Sequence, residues 1–329
     1  MRSRYILPNY RIAVVGSGAI GSYYGAKLAY FGRDVHFLMR GDLRAVRGGF
    51  GIRVRGKAEN FLLAKVSCYN STDQIGPCDL VLIALKTTSN CELLRLLPPL
   101  LKKETMLLTL QNGLGNEEFL AEHFGAERVM GALCFVCLIR VSPGVIEQFG
   151  HGRIVLGEYG RYPRPRTHDV AWEFKRCGVV CSVAENLGRE RWRKLVWNIP
   201  FNGLSVAAGG LDTAAILADD VLRGRVLALM DEVIAAANKC GYSLPSTEAL
   251  EQMKRTEKMG AYKPSTLLDF EAHRPLELDA IWGEPLRRAL AAGAQMPTLA
   301  ALYTELKEMN TALEKRESEP PPKRESVCS

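Results

Sequence analysis

Nowhere in these 329 residues does an apolar run approach the length of a membrane span, which takes roughly 18–20 residues. The opening "MRSRYILPNY" is basic, with only Ile6 and Leu7 as an apolar patch before Pro8. That is too little for the apolar region of a secretory signal, so a cytoplasmic protein with no membrane partner is expected. Internal repeats and long linkers are missing as well. The nine cysteines are odd in number and scattered. There is thus no disulfide framework, and the thiols are expected to be reduced and packed as small hydrophobes. Cys134 and Cys137 in "CFVC" have the spacing of half a zinc site, but no second CxxC and no HxxxH accompanies them. No metal is expected. The net charge of +7 suits an anionic ligand, yet the Lys and Arg residues are dispersed and not interleaved with aromatics. That pattern argues against nucleic acid.

The chain is 47% hydrophobic and 24% charged, the balance of a soluble globular protein, and its length suggests two domains. Near the N-terminus stands "RIAVVGSGAIGSYYGAKLAYFGRDVHFLMR". Ile12 to Val15 predict a buried strand, and Ala/Leu/Tyr periodicity predicts a helix to Phe31, ended by Gly32. A second strand is expected at Asp34 to Met39. Between strand and helix lies Gly16-Ser17-Gly18-Ala19-Ile20-Gly21. Gly16 permits a tight turn, Gly18 lets backbone approach a pyrophosphate, and Gly21 allows close helix–strand packing. The helix N-terminus supplies free N–H groups and the positive end of a dipole. The residues Gly16 to Gly21 are therefore candidates for a dinucleotide cradle. No carboxylate ends the second strand to bind a ribose 2′-hydroxyl; Arg40 stands there, nineteen residues after Gly21. A guanidinium pairs with a 2′-phosphate, which favours NADP(H) over NAD. Asp42, two residues further on, opposes an anion.

Strand and helix signals continue to alternate through "DLVLIAL" (79–85), "TTSNCELLRLL" and "TMLLTLQNGLGNEEFLAEHF". Alternation of this kind implies a parallel, doubly wound sheet whose ligands bind at the C-terminal strand ends. Lys86 and the Gln111-Asn112-Gly113 turn occupy two such ends. Later strands are expected around 128–137, 144–149, 153–157 and 178–183, and the Pro- and Arg-rich stretch 158–169 reads as a surface loop. The expected division is a dinucleotide-binding domain over 1–186, a helical substrate domain over 187–315 and a disordered, proline-rich tail over 316–329. Within the second domain, "TAAILADDVLRGRVLALMDEVIAAANKCG" predicts one helix ending at Gly241. "LDAIWGEPLRRALAAGA" predicts a helix broken at Gly283 and Pro285, and "MPTLAALYTELKEMNTALEKRE" one that starts with Pro297.

One helix carries a conflict. In "RWRKLVWNIPFN" (191–202), Lys194, Asn198 and Asn202 recur every fourth residue, a single stripe on a helix. A wet face is one reading. Against it, Trp192, Leu195, Val196, Trp197, Ile199 and Phe201 leave little circumference for solvent. The other reading is a polar line facing a substrate. A lysine ammonium can stabilise alkoxide charge and donate a proton after hydride transfer, while amides orient the substrate without adding charge.

The glycine turn, "LVLIALKTTSN", "LQNGLGNEE", "RWRKLVWNIPFNGLSV" and "PSTLLDFEAHRPLELDAIWG" occur in that order. In this the chain resembles the ketopantoate reductase (2-dehydropantoate 2-reductase) family up to about residue 315. The W-x-K-L-x-x-N-x-x-x-N run is the most specific part of the likeness. The resemblance implies an α/β N-terminal Rossmann-type doubly wound sheet, an all-α C-terminal domain and catalysis in the cleft. It implies Lys194 as general acid and Asn112 near nicotinamide and substrate. Asn198, Asn202 and Ser265 would hold the substrate carboxylate or hydroxyl, and Glu277 would contact that hydroxyl or tune Lys194. Gly16, Gly18, Gly21, Arg40 and Lys86 would serve NADPH. The implied reaction is reduction of 2-dehydropantoate to (R)-pantoate, toward pantothenate and coenzyme A. Read without the family, Ser265 is an N-cap and Glu277 a solvated helix residue. Trp282 stands where the family often has a small polar residue, and at the substrate it would reshape the acyl pocket. Two other functions fit the residues: reduction of another small branched 2-oxo acid, and a non-catalytic NADP(H)-binding sensor. The oligomeric state is left open, a homodimer included.

Overall fold

The computed structural model describes residues 10–57 and 59–318. The N-terminal stretch examined for a signal (1–9) and the tail from 319 onward lie outside the described residues. The chain divides into two compact units, Met1–Arg191 and Trp192–Ser329. This division falls inside a helix rather than in the loop before it.

The first unit is built in the order β1 (Arg11–Val15), α1 (Ala19–Tyr30), β2 (Asp34–Leu38), the short α2 (Leu43–Ala45), β3 (Ile52–Gly56), β4 (Phe61–Leu63), β5 (Ser67–Tyr69) and α3 (Thr72–Ile75). There follow β6 (Leu80–Ile83), α4 (Leu93–Leu96), β7 (Met106–Thr109), α5 (Asn116–Phe124), β8 (Val129–Ser142), β9 (Val145–Glu158), α6 (Pro165–Arg176) and β10 (Val180–Val183). The strands form one sheet, ordered β4-β3-β9-β8-β7-β6-β1-β2-β5, with β10 on β9. From β5 through β8 every pairing is parallel. Side chains alternate between two cores on opposite faces. Ile12, Val14, Leu80, Leu82 and Leu108 belong to one, and Ala13, Val15, Val81, Ile83 and Leu107 to the other. Burial on both faces is why these strands read as continuous apolar runs.

The sheet extends past the parallel part in a way the sequence did not foretell. β8 and β9 form a long antiparallel hairpin. The first half of β9 pairs with β3 and the second half with β10. The two strands expected at 144–149 and 153–157 are therefore one. β3, β4 and β5 are short, three to five residues each, and carried no recognised signal. The expected loop at 158–169 is shorter than supposed. Pro165 starts α6, and the Arg164 N–H donates to Thr167 Oγ1 at 3.0 Å, a local bond that fixes the first turn.

Among the described residues of the second unit every regular element is helical. α7 (Leu187–Ala207) continues from the first unit, followed by α8 (Thr213–Ala218), α9 (Asp220–Lys239), α10 (Glu248–Glu257) and α11 (Ser265–Glu271). A π-helical turn at Asp279–Gly283 leads into α12 (Glu284–Ala291), and α13 (Pro297–Ser318) closes the unit. The single helix expected up to Gly241 is two. Asp219 takes an extended conformation (φ −92°, ψ 117°) and its carboxylate accepts the Leu222 N–H at 2.9 Å. An Asp in that role caps a new helix instead of continuing the old one. Because α13 runs to Ser318, residues 316–318 are helical and not part of a disordered tail. Among the described residues no helix is long and apolar enough to cross a membrane.

Candidate functional site

The N-terminal glycine turn has the local chemistry of an anion cradle. α1 starts at Ala19 behind Gly18, with no side chain capping it and no acidic residue in its first turn. Its first N–H groups are thus left for a ligand or water. A Cβ on Gly18 would meet nothing within 4 Å, whereas one on Gly21 would collide with the Gly16 carbonyl oxygen. Gly16 itself has φ +103° and lies against Ala84 and Leu85 at the end of β6. Gly18 therefore keeps space open while Gly21 keeps α1 close to β1. Ser17 does not face that space. Its hydroxyl donates to the Leu38 carbonyl at 2.7 Å and ties the turn to the end of β2. Ala19 and Ile20 are half-buried in the first turn of α1.

Arg40, just past β2, is exposed, and its guanidinium makes no hydrogen bond or ion pair with a described residue. Asp42 does not neutralise it. The Asp42 carboxylate turns to the β8–β9 hairpin, accepting from Arg140 Nη1 at 2.5 Å and from the Gly144 N–H at 3.1 Å.

The loops after β6 and β7 are bound to each other through Gln111. Its Nε2 donates to the Leu85 carbonyl at 2.9 Å and to Asn90 Oδ1 at 2.7 Å, and its Oε1 accepts from Thr109 at 2.9 Å. Asn116 Nδ2 holds the Asn112 carbonyl at 2.8 Å, and Asn90 Nδ2 reaches Asn116 Oδ1 at 3.0 Å. Lys86, exposed, and Asn112, half-buried, thus sit on neighbouring loops fixed by one amide network. Below it, Arg191 from the first turn of α7 donates to the Gln111 carbonyl at 2.7 Å and pairs with Glu117. Both partners are buried. Gly131 and Gly157 face each other across β8 and β9, and Leu187 seats over both. Gln111 belongs to the turn expected at a strand end, whereas Asn116, Glu117 and Arg191 were not singled out from the sequence. Arg191 stands among Arg189, Glu190, Arg193 and Lys194, so nothing local set it apart.

Within the second unit, α7 shows why its polar stripe exists. One face is fastened to α10, with Arg193 Nε on Glu248 at 2.7 Å and Trp197 Nε1 on Thr256 Oγ1 at 3.0 Å. Leu195, Val196 and Ile199 are core. The remaining stripe is Lys194, half-buried, then Asn198 and Asn202, both buried. A wet face is excluded for the two asparagines. Asn202 Oδ1 accepts the Thr266 N–H at 3.2 Å and lies 3.5 Å from Ser265 Oγ. It satisfies the start of α11, a task the sequence reading gave to Ser265. Ser265 is instead the exposed first residue of that helix, with Pro264 before it. Asn198, only 6% exposed, makes no side-chain hydrogen bond with a described residue. Its amide atoms are not wholly sealed from solvent, so they remain open to a ligand or water.

Glu277 is buried (8% exposed), which rules out the solvated reading. Trp282 is wholly buried; its indole N–H donates to the Ile199 carbonyl at 3.0 Å, and it packs near Gly203. It is a core residue of the helical unit. Among the described residues no group of three His, Cys, Asp or Glu side chains could hold a metal.

Residues 12–161 match the family described as "Ketopantoate reductase PanE/ApbA", and residues 186–310 match its C-terminal part. The 2-dehydropantoate 2-reductase of Nostoc sp. is 40% identical over 302 residues, 90% of this chain and 94% of the relative. That of Mesorhizobium japonicum is 30% identical, over 82% and 89%. The crystal structure of 2-dehydropantoate 2-reductase from Geobacter metallireducens GS-15 has a TM-score of 0.88 at 45% identity, covering 91% of this chain and 99% of that one. D-mandelate dehydrogenase with NADH and anilino(oxo)acetate shares the fold, with a TM-score of 0.83 at 21% identity over 92% of this chain and 99% of that one. On this evidence the chain belongs to the ketopantoate reductase family and is an oxidoreductase.

Proposed function

We propose that this protein reduces 2-dehydropantoate to (R)-pantoate with NADPH, the step toward pantothenate and coenzyme A. Family membership and the names of the most similar relatives support the substrate. The observation that carries the chemistry is the α7 stripe: Asn198, a largely buried residue whose amide stays open to a ligand, stands one helical turn beyond Lys194.

NADPH, when bound, supplies the hydride for the ketone carbon. The glycine turn would hold its pyrophosphate on the first N–H groups of α1, and Arg40 would hold the 2′-phosphate. Lys86 and Asn112 would complete the cofactor side. Lys194 donates a hydrogen bond to the ketone oxygen, stabilises the developing alkoxide and delivers the proton. The Asn202 oxygen is engaged by α11, so its NH₂ is the end that serves a substrate carboxylate or hydroxyl. Asn198 and Ser265 hold the same groups, and Glu277 accepts from the substrate hydroxyl or tunes Lys194.

Lys194→Ala tests this directly. With the proton donor gone, kcat falls about 10²–10⁴-fold while NADPH binding persists. Near-normal turnover would remove Lys194 from the mechanism. A panel of 2-oxo acids followed by NADPH absorbance compares kcat/KM values. A better acid than 2-dehydropantoate would reassign the substrate and keep the reaction, whereas cofactor binding without turnover on any acid would leave a sensor.

A further inference from the structure

We infer that the Asp42–Arg140–Gly144 clasp sets cofactor preference, by keeping a carboxylate from cancelling Arg40. This rests on the reading of Arg40 as the 2′-phosphate partner.

Asp42 is the only acidic residue within several positions of Arg40; the next charged residues, Arg44 and Arg47, are basic. Two residues of chain span at most about 7 Å, so a free carboxylate here would reach Arg40 or repel a phosphate bound to it. Asp42 precedes α2 as its N-cap residue, yet its side chain does not cap that helix. It is spent on groups from a hairpin 98 and 102 residues away.

The hairpin tip is held in place independently of this pair. The Gly144 carbonyl accepts the Arg53 N–H at 2.7 Å, beside the point where β3 joins β9. Gly144 has φ +70°, and a Cβ there would approach the Gly51 carbonyl oxygen to 2.5 Å. The tip therefore offers Asp42 one backbone N–H and one guanidinium at a fixed place. Arg140, half-exposed, supplies the charge that balances the buried carboxylate. Among the described residues no carboxylate pairs with Arg40, which follows the end of β2 to which Ser17 ties the glycine turn. An anion-selective subsite thus depends on a residue of the β8–β9 hairpin, far along the chain from β2.

The test is a comparison of Kd values for NADPH and NADH by fluorescence titration. Arg140→Gln keeps a hydrogen-bond donor for Asp42 and removes the charge; Arg140→Ala removes both. In each, NADPH is expected to bind roughly tenfold more weakly, the scale for one partly screened charge at this range. NADH is expected to change by less than about twofold, since it carries no 2′-phosphate. Adding Asp42→Asn to either variant should recover NADPH affinity to within about threefold. A merely structural clasp would not show that rescue, because the second substitution removes still more of it. Equal losses for both cofactors, or no rescue by Asp42→Asn, would overturn the inference. Arg40→Ala is measured alongside. A loss confined to NADPH upholds the phosphate reading whatever the clasp variants do, and equal losses there would bring down that reading and the clasp together.

Discussion

Arg191 and Glu117, 74 residues apart, form a buried ion pair, and the same arginine donates to the Gln111 carbonyl at 2.7 Å. The first turn of α7 is thereby locked to the loop that carries Asn112. The proposed acid, Lys194, follows one turn later on that helix. Gly131 makes room for this pair, since a Cβ on it would collide with Glu117 Oε1.

Arg191→Ala should be among the costliest substitutions in the chain. It leaves the Glu117 carboxylate buried and unpaired, a loss of about 3–5 kcal/mol. Chemical denaturation would show it, and the double variant with Glu117→Gln should recover part of the loss. An Arg191→Ala protein as stable as the parent would mean that the pair is solvated in solution.

The two buried asparagines of α7 should separate by readout. Asn198→Ala breaks no hydrogen bond to a described residue. It should raise KM for the oxo acid by about tenfold or more, the worth of one good hydrogen bond, with the melting temperature nearly unchanged. Asn202→Ala should weaken substrate binding and also cost about 1 kcal/mol, because α11 loses the acceptor at its N-terminus. Identical stability losses in both would contradict the assignment of Asn198 to the ligand.

Gly18→Ala and Gly21→Ala should fail differently. A methyl at Gly18 meets no protein atom, so the variant folds normally and loses cofactor affinity. A methyl at Gly21 strikes the Gly16 carbonyl, so α1 must shift from the sheet and stability falls before binding is considered. Thermal melts with and without NADPH distinguish the cases.

His36 gives a pH dependence with a definite sign. Burial in β2 pushes its imidazole pKa below the usual value, outweighing the opposing pull of Asp34, whose Oδ1 lies 2.8 Å from Nε2. The unfolded chain then binds the proton more readily than the folded one. Stability is therefore highest above about pH 6.5 and falls as pH drops below that value. His36→Gln should flatten the pH 5–7 part of the stability curve. An unchanged slope would assign the acid loss to other groups.

The sequence alone determined the parts governed by local periodicity and stereochemistry. The runs at Ile12 and Leu80 are apolar on every residue because both sheet faces are covered. The glycine turn is legible because each glycine answers a separate local constraint. The spacing of Lys194, Asn198 and Asn202 is a property of one helix. Tertiary structure decided what depends on partners far along the chain. Nothing near Asp42 says that its carboxylate goes to Arg140, nothing near Arg191 names Glu117, and nothing in 144–157 says that one strand serves β3 and then β10. Asn202 accepts from the start of α11, where Ser265 offered itself as the cap, for the same reason: a cap is chosen by whichever acceptor the fold brings to the helix end. A side chain's type limits the bonds it can make, and only the folded chain selects which of the distant candidates arrives.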